Sequence, residues 1–338
     1  RWDDIKSKRS MSLSGEAPAA SSGTTSVLMH KKPGDGTSGV ALYRRILPAT
    51  GTGYERLHAR MYVKFGANAD PIHHFGANIG GNNPPTRWPV VSAGNRPDGD
   101  SSFWTGIEPF GDVWRWDFYT IWMEMRSWHN DDGSGTSYYG NTFLRDTAEG
   151  NWEQIGPEVR RGEWVCVETM VQVNDLGQSN GEQAFWIDGQ LVRGDGQIIS
   201  HLGPGYPNGS WLRDKWSPDP AGEPFEGFRW RNDANLLVNY LWLYVYTEED
   251  NHDIPVWYDD VVVATSYIGP LYSGSGSTGS SGSDETSGSS TVGSSAQSGD
   301  GGASESSDRG DGCNRSAAGA RHAPLFLACL LAAASLLV

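Results

Sequence analysis

The chain has 338 residues, a formal net charge of −15, a hydrophobic fraction of 37%, and 44 glycines and 15 tryptophans. Such acidity argues against a nucleic-acid partner, because phosphate binding draws on clustered Lys and Arg. The glycine and aromatic content suits many short strands and tight turns rather than a helical bundle, and the tryptophan count points to rings exposed as platforms.

Along the chain, strand-like runs recur between clusters of Gly, Pro, Asn and Asp. Residues 11–47 supply weaker edge strands, and the clearest runs are 54–65, 114–126, 164–173, 183–187, 236–246 and 256–264. No stretch of comparable length carries a helical period. Cys166, in the apolar run Trp164-Val165-Cys166-Val167, reads as a buried free thiol; Cys313 and Cys329 lie outside the apparent core, so no disulfide framework is visible. The expected architecture is all-β, a two-sheet antiparallel jelly-roll sandwich over residues 1–272, expected as a monomer.

Residues 273–312 hold almost nothing apolar and read as a flexible Ser/Gly-rich linker. Residues 313–338 then give Cys313, a short polar stretch and the apolar run from Ala323 to Val338, which is shorter than a comfortable bilayer span. Such a tail has the pattern of a processed sorting or lipid-anchor signal, so an extracellular, surface-anchored chain is expected, held to the cell-surface membrane by this end. Because the chain begins at Arg1 without a signal peptide, that reading implies a processed N-terminus or a fragment.

Side chains alternate across a strand, so each run offers two faces. In 54–65, Leu57, Ala59, Met61, Val63 and Phe65 form an apolar face, and Arg56, His58, Arg60, Tyr62 and Lys64 a basic one with an aromatic tip. In 236–246, Leu237, Leu241, Leu243 and Val245 oppose Tyr240, Trp242, Tyr244 and Tyr246. Asn239 interrupts the apolar set, as either a bulge or a hydrogen-bonded polar residue. If the basic and the ring-bearing faces line one concave sheet, the groove suits an acidic polysaccharide, with Arg pairing carboxylates and flat rings packing on sugars.

Four stretches, RMYVKF from Arg60, RRGEWVCVETMVQVN from Arg160, GEQAFWIDGQLV from Gly181 and VWYDDVVVATSYIGP from Val256, together resemble concanavalin A-like jelly rolls of the polysaccharide lyase and heparin-lyase-like type, notably secreted members from myxobacteria and planctomycetes. The tail resembles myxobacterial C-terminal sorting segments, without their closing Arg cluster; a glycolipid-anchor signal is the eukaryotic alternative. The first resemblance implies β-elimination on a uronate-containing glycan, and the alternative is a lectin-like protein using the same groove. It further implies a Tyr or His that removes the proton beside a uronate carboxylate, a neutralising partner, and a Tyr or His that protonates the leaving oxygen.

On that basis His74, Tyr244, Tyr62 and Arg60 are the candidate catalytic groups, and Arg56, His58, Lys64, Asn78, Tyr240, Trp242 and Tyr246 the candidate substrate contacts. His73 and His74 would point to opposite sides of an extended segment, and His74 is the one expected in the groove. Where related lyases often carry a Lys in a Gly-Gly-Lys stretch, this chain has Asn78 before Gly80 and Gly81. The Glu-x-Asp-x-x-Glu strand of retaining glycosidases and the Gly-x-Ser-x-Gly elbow are both missing. No cofactor is required by this chemistry, although Asp259 and Asp260 are candidate ligands for a structural Ca²⁺.

Overall fold

The structure is a computed structural model that describes residues 1–271, apart from 37–38, 87, 90, 92–93, 111–112, 126–127, 130–135, 145–154, 195, 206–209, 212–217 and 220–226. These residues belong to one unit, Arg1–Ser277. The linker and tail expected over 273–338 lie outside the described residues.

Two antiparallel sheets form the sandwich. In chain order the strands are β1 (Asp4–Lys6), β2 (Met11–Ser14), β3 (Ser26–Lys31), β4 (Val40–Arg45), β5 (Arg56–Phe65), β6 (His74–Asn82), β7 (Ser102–Phe110), β8 (Arg115–Ile121), β9 (Trp164–Gln172), β10 (Glu182–Ile187), β11 (Gln190–Leu191), β12 (His201–Leu202), β13 (Tyr240–Tyr246) and β14 (Ile254–Ala264). The smaller sheet runs β1-β4-β13-β6-β7-β8, and the larger runs β11-β10-β9-β5-β14-β3-β2 with β12 also on β10. Short two-residue ribbons lie outside this framework.

The alternation read from the sequence decides which side of each strand is buried. Ala59, Met61, Val63 and Phe65 of β5 are fully buried between the sheets, as are Phe75, Ala77 and Ile79 of β6 and Leu243 and Val245 of β13. Aromatic rings knit the layers: Phe65 meets Phe75 at 5.0 Å and Trp116 at 5.7 Å, Phe75 stacks on Tyr258 at 5.5 Å, and Phe118 meets Phe185 at 5.0 Å. Trp116, Trp122 and Trp230 are buried core residues, so a good part of the tryptophan content fills the interior. A polar tie crosses the core as well, where the Thr105 and Thr120 hydroxyls donate to Gln183 Oε1 at 2.7 and 3.1 Å. Cys166 is free and buried.

Asn239 resolves as the hydrogen-bonded alternative. It precedes β13, its Nδ2 donates to the carbonyls of Thr52 and Asn82, both at 2.8 Å, and its Oδ1 accepts the Asn82 N–H at 3.0 Å. One side chain thereby closes three main-chain groups where the β6 end, the β13 entry and the preceding loop meet. At the β14 bulge, between Asp259 and Val262, Asp260 adopts a φ of 45° and donates its N–H to Asp259 Oδ1 at 2.8 Å. Among the described residues, no group of three or more His, Cys, Asp or Glu side chains is placed to hold a metal ion.

Leaving buried main-chain groups without partners costs about 1–3 kcal/mol each. Asn239→Ala should therefore lower unfolding stability by at least about 2 kcal/mol in urea titrations. A change below about 0.5 kcal/mol, the scale of ordinary surface substitutions, would contradict this role for Asn239.

Candidate functional site

The outward face of the smaller sheet gathers His74, Asn78 and two glycines from β6, Trp104, Gly106 and Glu108 from β7, Tyr119 from β8, and Trp242, Tyr244 and Tyr246 from β13. Strand register sets these neighbours: Trp242 lies opposite Asn78, Tyr244 opposite Gly76, and Tyr246 opposite His74. Glycine is needed at two of these places. A Cβ at Gly76 would stand 2.1 Å from the Tyr244 ring, and one at Gly106 would stand 1.9 Å from Asn78 Oδ1, so both side chains lie across backbone that carries nothing.

His74 sits where β6 and β7 part. The two strands pair only from Ile79 to Asn82 on β6, and beyond that point the Phe75 N–H acts on the Glu108 carboxyl so as to lower its pKa. The Glu108 carboxyl meets His74 Nδ1 at 3.2–3.3 Å. The Tyr119 ring packs 4.5 Å from the His74 ring, with Tyr246 at 6.0 Å and Tyr244 at 6.4 Å. Tyr244 stacks on Trp242 at 4.3 Å, and Trp242 meets Trp104 at 5.7 Å and Trp88 at 5.8 Å. The result is a row of rings leading away from the His74–Glu108 pair.

Burial sets the charge state of the site. It pushes Glu108 well above the usual carboxylate range, against the pull of the Phe75 N–H. It also pushes His74 down to about 4, with Glu248 acting in the opposite sense. Both partners therefore favour their uncharged forms, and the proton they share is drawn toward Glu108. Tyr244 is raised by burial and then by Glu108, and Tyr119 is raised for the same reasons, so both phenols keep their protons. His73, pushed down to about 4 by burial and then by its neighbour His74, lies 3.5 Å from Glu248.

The expected residues divide between two places. His74, Asn78, Trp242, Tyr244 and Tyr246 share the face just described. Arg56, His58, Arg60, Tyr62 and Lys64 do not join them, and the expectation of a shared groove is corrected here. β5 belongs to the larger sheet and spends its odd-numbered side chains on the core, so its even-numbered ones face away from the smaller sheet, on the opposite side of the sandwich. There Arg60 and Tyr62 are 4% and 8% exposed, beneath a C-terminal strap whose Leu271 N–H donates to the Tyr62 hydroxyl at 2.9 Å. His58 Nδ1 meets Glu168 at 2.8 Å, Arg56 donates to Gln172 Oε1, and Lys64 pairs with Glu16.

Tyr240 is corrected too: it is fully buried, packs 5.3 Å from Tyr43 and donates its hydroxyl to the Phe103 carbonyl, so it offers no ring to a ligand. Nor does His73 turn to the far side; it precedes β6, and its ring packs 4.3 Å from that of His74. Sequence reasoning missed Glu108, Tyr119, Trp104 and Trp88. Glu108 and Trp104 lie on a strand interrupted by Gly106 and Pro109, yet Phe103, Thr105 and Ile107 alternating with Trp104, Gly106 and Glu108 carry the period-two signal.

No protein-family model matches the sequence, and no curated protein matches it. Solved structures do. The alginate lyase of family PL-14 from Aplysia kurodai aligns at 13% identity over 78% of this chain and 92% of its own, with a TM-score of 0.50. The alginate lyase vAL-1 from Chlorella virus aligns at 10% identity over 78% and 93%, with a TM-score of 0.47. The endo-β-1,4-glucuronan lyase from Trichoderma reesei aligns at 12% identity over 78% and 91%, with a TM-score of 0.38. The first of these shows a shared lyase-type jelly-roll fold and nothing beyond the fold.

His74 should remain uncharged across neutral pH and gain a proton only around pH 4 in histidine-resolved NMR titrations. Its unfolded counterpart takes up a proton near 6.5, so acidification between those values favours the unfolded chain. A midpoint for His74 near 6.5 would contradict the burial argument.

Proposed function

We propose that the chain is a polysaccharide lyase that cleaves a uronate-containing glycan by β-elimination at the outward face of the smaller sheet. The observation that carries this reading is the meeting of one half-buried imidazole with two protonated phenols on an aromatic-lined face. The shared fold with an alginate lyase supports it.

The steps follow from the groups present. When the His74–Glu108 pair loses its proton, the Glu108 carboxylate accepts the Nδ1–H and Nε2 is left with a free lone pair. Nε2 then takes the proton on C5 of the uronate, and that C–H electron pair forms the C4=C5 double bond as the C4–O4 bond breaks. Tyr244 donates its phenolic proton to the departing oxygen, with Tyr119 packed against His74 as its positioning neighbour. Trp242 offers an apolar ring face on which a flanking sugar packs.

Lectin-like glycan binding is the second reading, favoured by the same row of rings, which would hold a sugar chain whether or not chemistry followed. The Ser/Gly-rich stretch 273–312 and the apolar run 323–338 support a further part of the proposal, that the enzyme is tethered at the cell surface and works on extracellular polymer.

Alginate, glucuronan and other uronate polymers incubated with the chain should yield an unsaturated product, read as a rise in ultraviolet absorbance. Tyr244→Phe and His74→Ala should each lower turnover by about 10²–10⁴-fold, the usual contribution of a positioned acid or base. Binding of these polymers with no unsaturated product would replace the lyase by the lectin-like reading.

A pH profile separates the partners of the pair. Because the base becomes available only when Glu108 gives up its proton, activity in the native chain should rise through that elevated pKa. Glu108→Gln removes the titrating carboxyl, so the ascending limb should move to lower pH. An unmoved limb would show that Glu108 does not control the base.

A further inference from the structure

Three side-chain N–H groups beside His74 and Tyr244 are buried and meet no acceptor: Asn78 Nδ2, Trp104 Nε1 and Trp242 Nε1. Asn78 is 1% exposed and Trp104 7%. The Asn78 carboxamide acts on the Tyr244 hydroxyl so as to lower its pKa, but Nδ2 meets no acceptor in hydrogen-bonding geometry. The three occupy neighbouring positions of one face: Trp242 lies across from Asn78, Trp104 lies across from Gly80 two residues further along β6, and the two indoles touch at 5.7 Å. Leaving a buried donor without an acceptor is costly, and native proteins retain few of them without cause. Other orphaned polar atoms occur in this protein; these three are set apart by lying together against the reacting groups.

Resting on the lyase reading, we propose that the Trp104 and Trp242 indole N–H groups join Asn78 Nδ2 in an uncharged pocket that receives the C5 carboxylate of a uronate. An indole N–H can only donate, so the group that completes this trio is rich in acceptors. A carboxylate brings two oxygens and no hydrogen, whereas a sugar hydroxyl brings a donor that none of the three can accept. The pocket also suits the reaction. As the C5 proton leaves, negative charge builds on that same carboxylate, and fixed donors in a water-poor site strengthen as it does so. Recognition through neutral donors makes the tryptophans specificity determinants for the carboxylate in addition to stacking platforms.

The test uses the full chain carrying His74→Ala, so that ligand survives the measurement. Calorimetric titration compares oligosaccharides of alginate and of glucuronan with their carboxyl-reduced, neutral counterparts. The His74→Ala chain should prefer the acidic form by at least about tenfold, the equivalent of one net charge-assisted hydrogen bond. Adding Trp242→Phe or Trp104→Phe, each of which keeps a ring and removes the N–H, should shrink that preference severalfold while leaving the neutral sugar's affinity within about twofold, the scale of context variation in such measurements. A preference unchanged in both variants overturns the pocket.

Should Trp104→Phe fail to fold, as checked by circular dichroism, the half-buried Trp242 position still decides the matter. Parallel turnover assays on the native chain keep the two ideas apart. Carboxylate preference lost in the variants without any unsaturated product supports the pocket and overturns the lyase. Product formed with the preference intact does the reverse, and failure to bind any of these acidic oligosaccharides overturns both.

Discussion

Everything at the candidate site depends on the burial of apolar side chains between two sheets. Once Leu243, Val245, Phe75, Ala77 and Ile79 commit to the interior, the pleat leaves Trp242, Tyr244, Tyr246, His74 and Asn78 no choice but the outward face. The same rule sends Arg60 and Tyr62 to the other side of the molecule, because Ala59, Met61 and Val63 also commit inward from the opposite sheet. A one-residue slip in either strand would invert the assignment. The candidate face is thus a by-product of core packing, held in register by ladders such as Trp242 opposite Asn78 and by Asn239 at the strand entry.

Electrostatics at that face follow from depth. A histidine and a glutamate placed in contact on a solvated surface would form an ion pair; with Glu108 buried and His74 half-buried where β6 and β7 part, they favour the neutral arrangement. The parting of the strands matters here, since it leaves Glu108 beside the first residues of β6, where its carboxyl addresses Nδ1. The phenols above it are raised in turn by burial and by Glu108. Proton placement is therefore decided by burial rather than by a cluster of charges.

The sequence carries part of this plainly. Period-two alternation in 54–65 and 236–246 identifies both the inward and the outward sets, and the all-β sandwich follows from many such runs separated by turn residues. What alternation does not encode is the sheet to which a strand belongs. β5 and β13 are equally amphipathic, and only long-range pairing, β5 with β9 and β14 and β13 with β4 and β6, puts their outer faces on opposite sides. Tyr240 has the same outward parity as Tyr244, yet it is sealed by Tyr43, a contact between residues almost two hundred positions apart. Glu108 was hidden for a local reason: Gly106 and Pro109 weaken the strand signal, although Gly106 is there because Asn78 lies over it.

The central claim is that the sugar chain lies on the smaller sheet, over His74 and Tyr244. A crystal structure of the His74→Ala chain with a uronate oligosaccharide tests it most directly. The account predicts sugar rings along Trp242 and Tyr244 with one C5 carboxylate turned toward Asn78. An oligosaccharide bound instead on the outer face of the larger sheet, beside Arg60 and Tyr62, would contradict it.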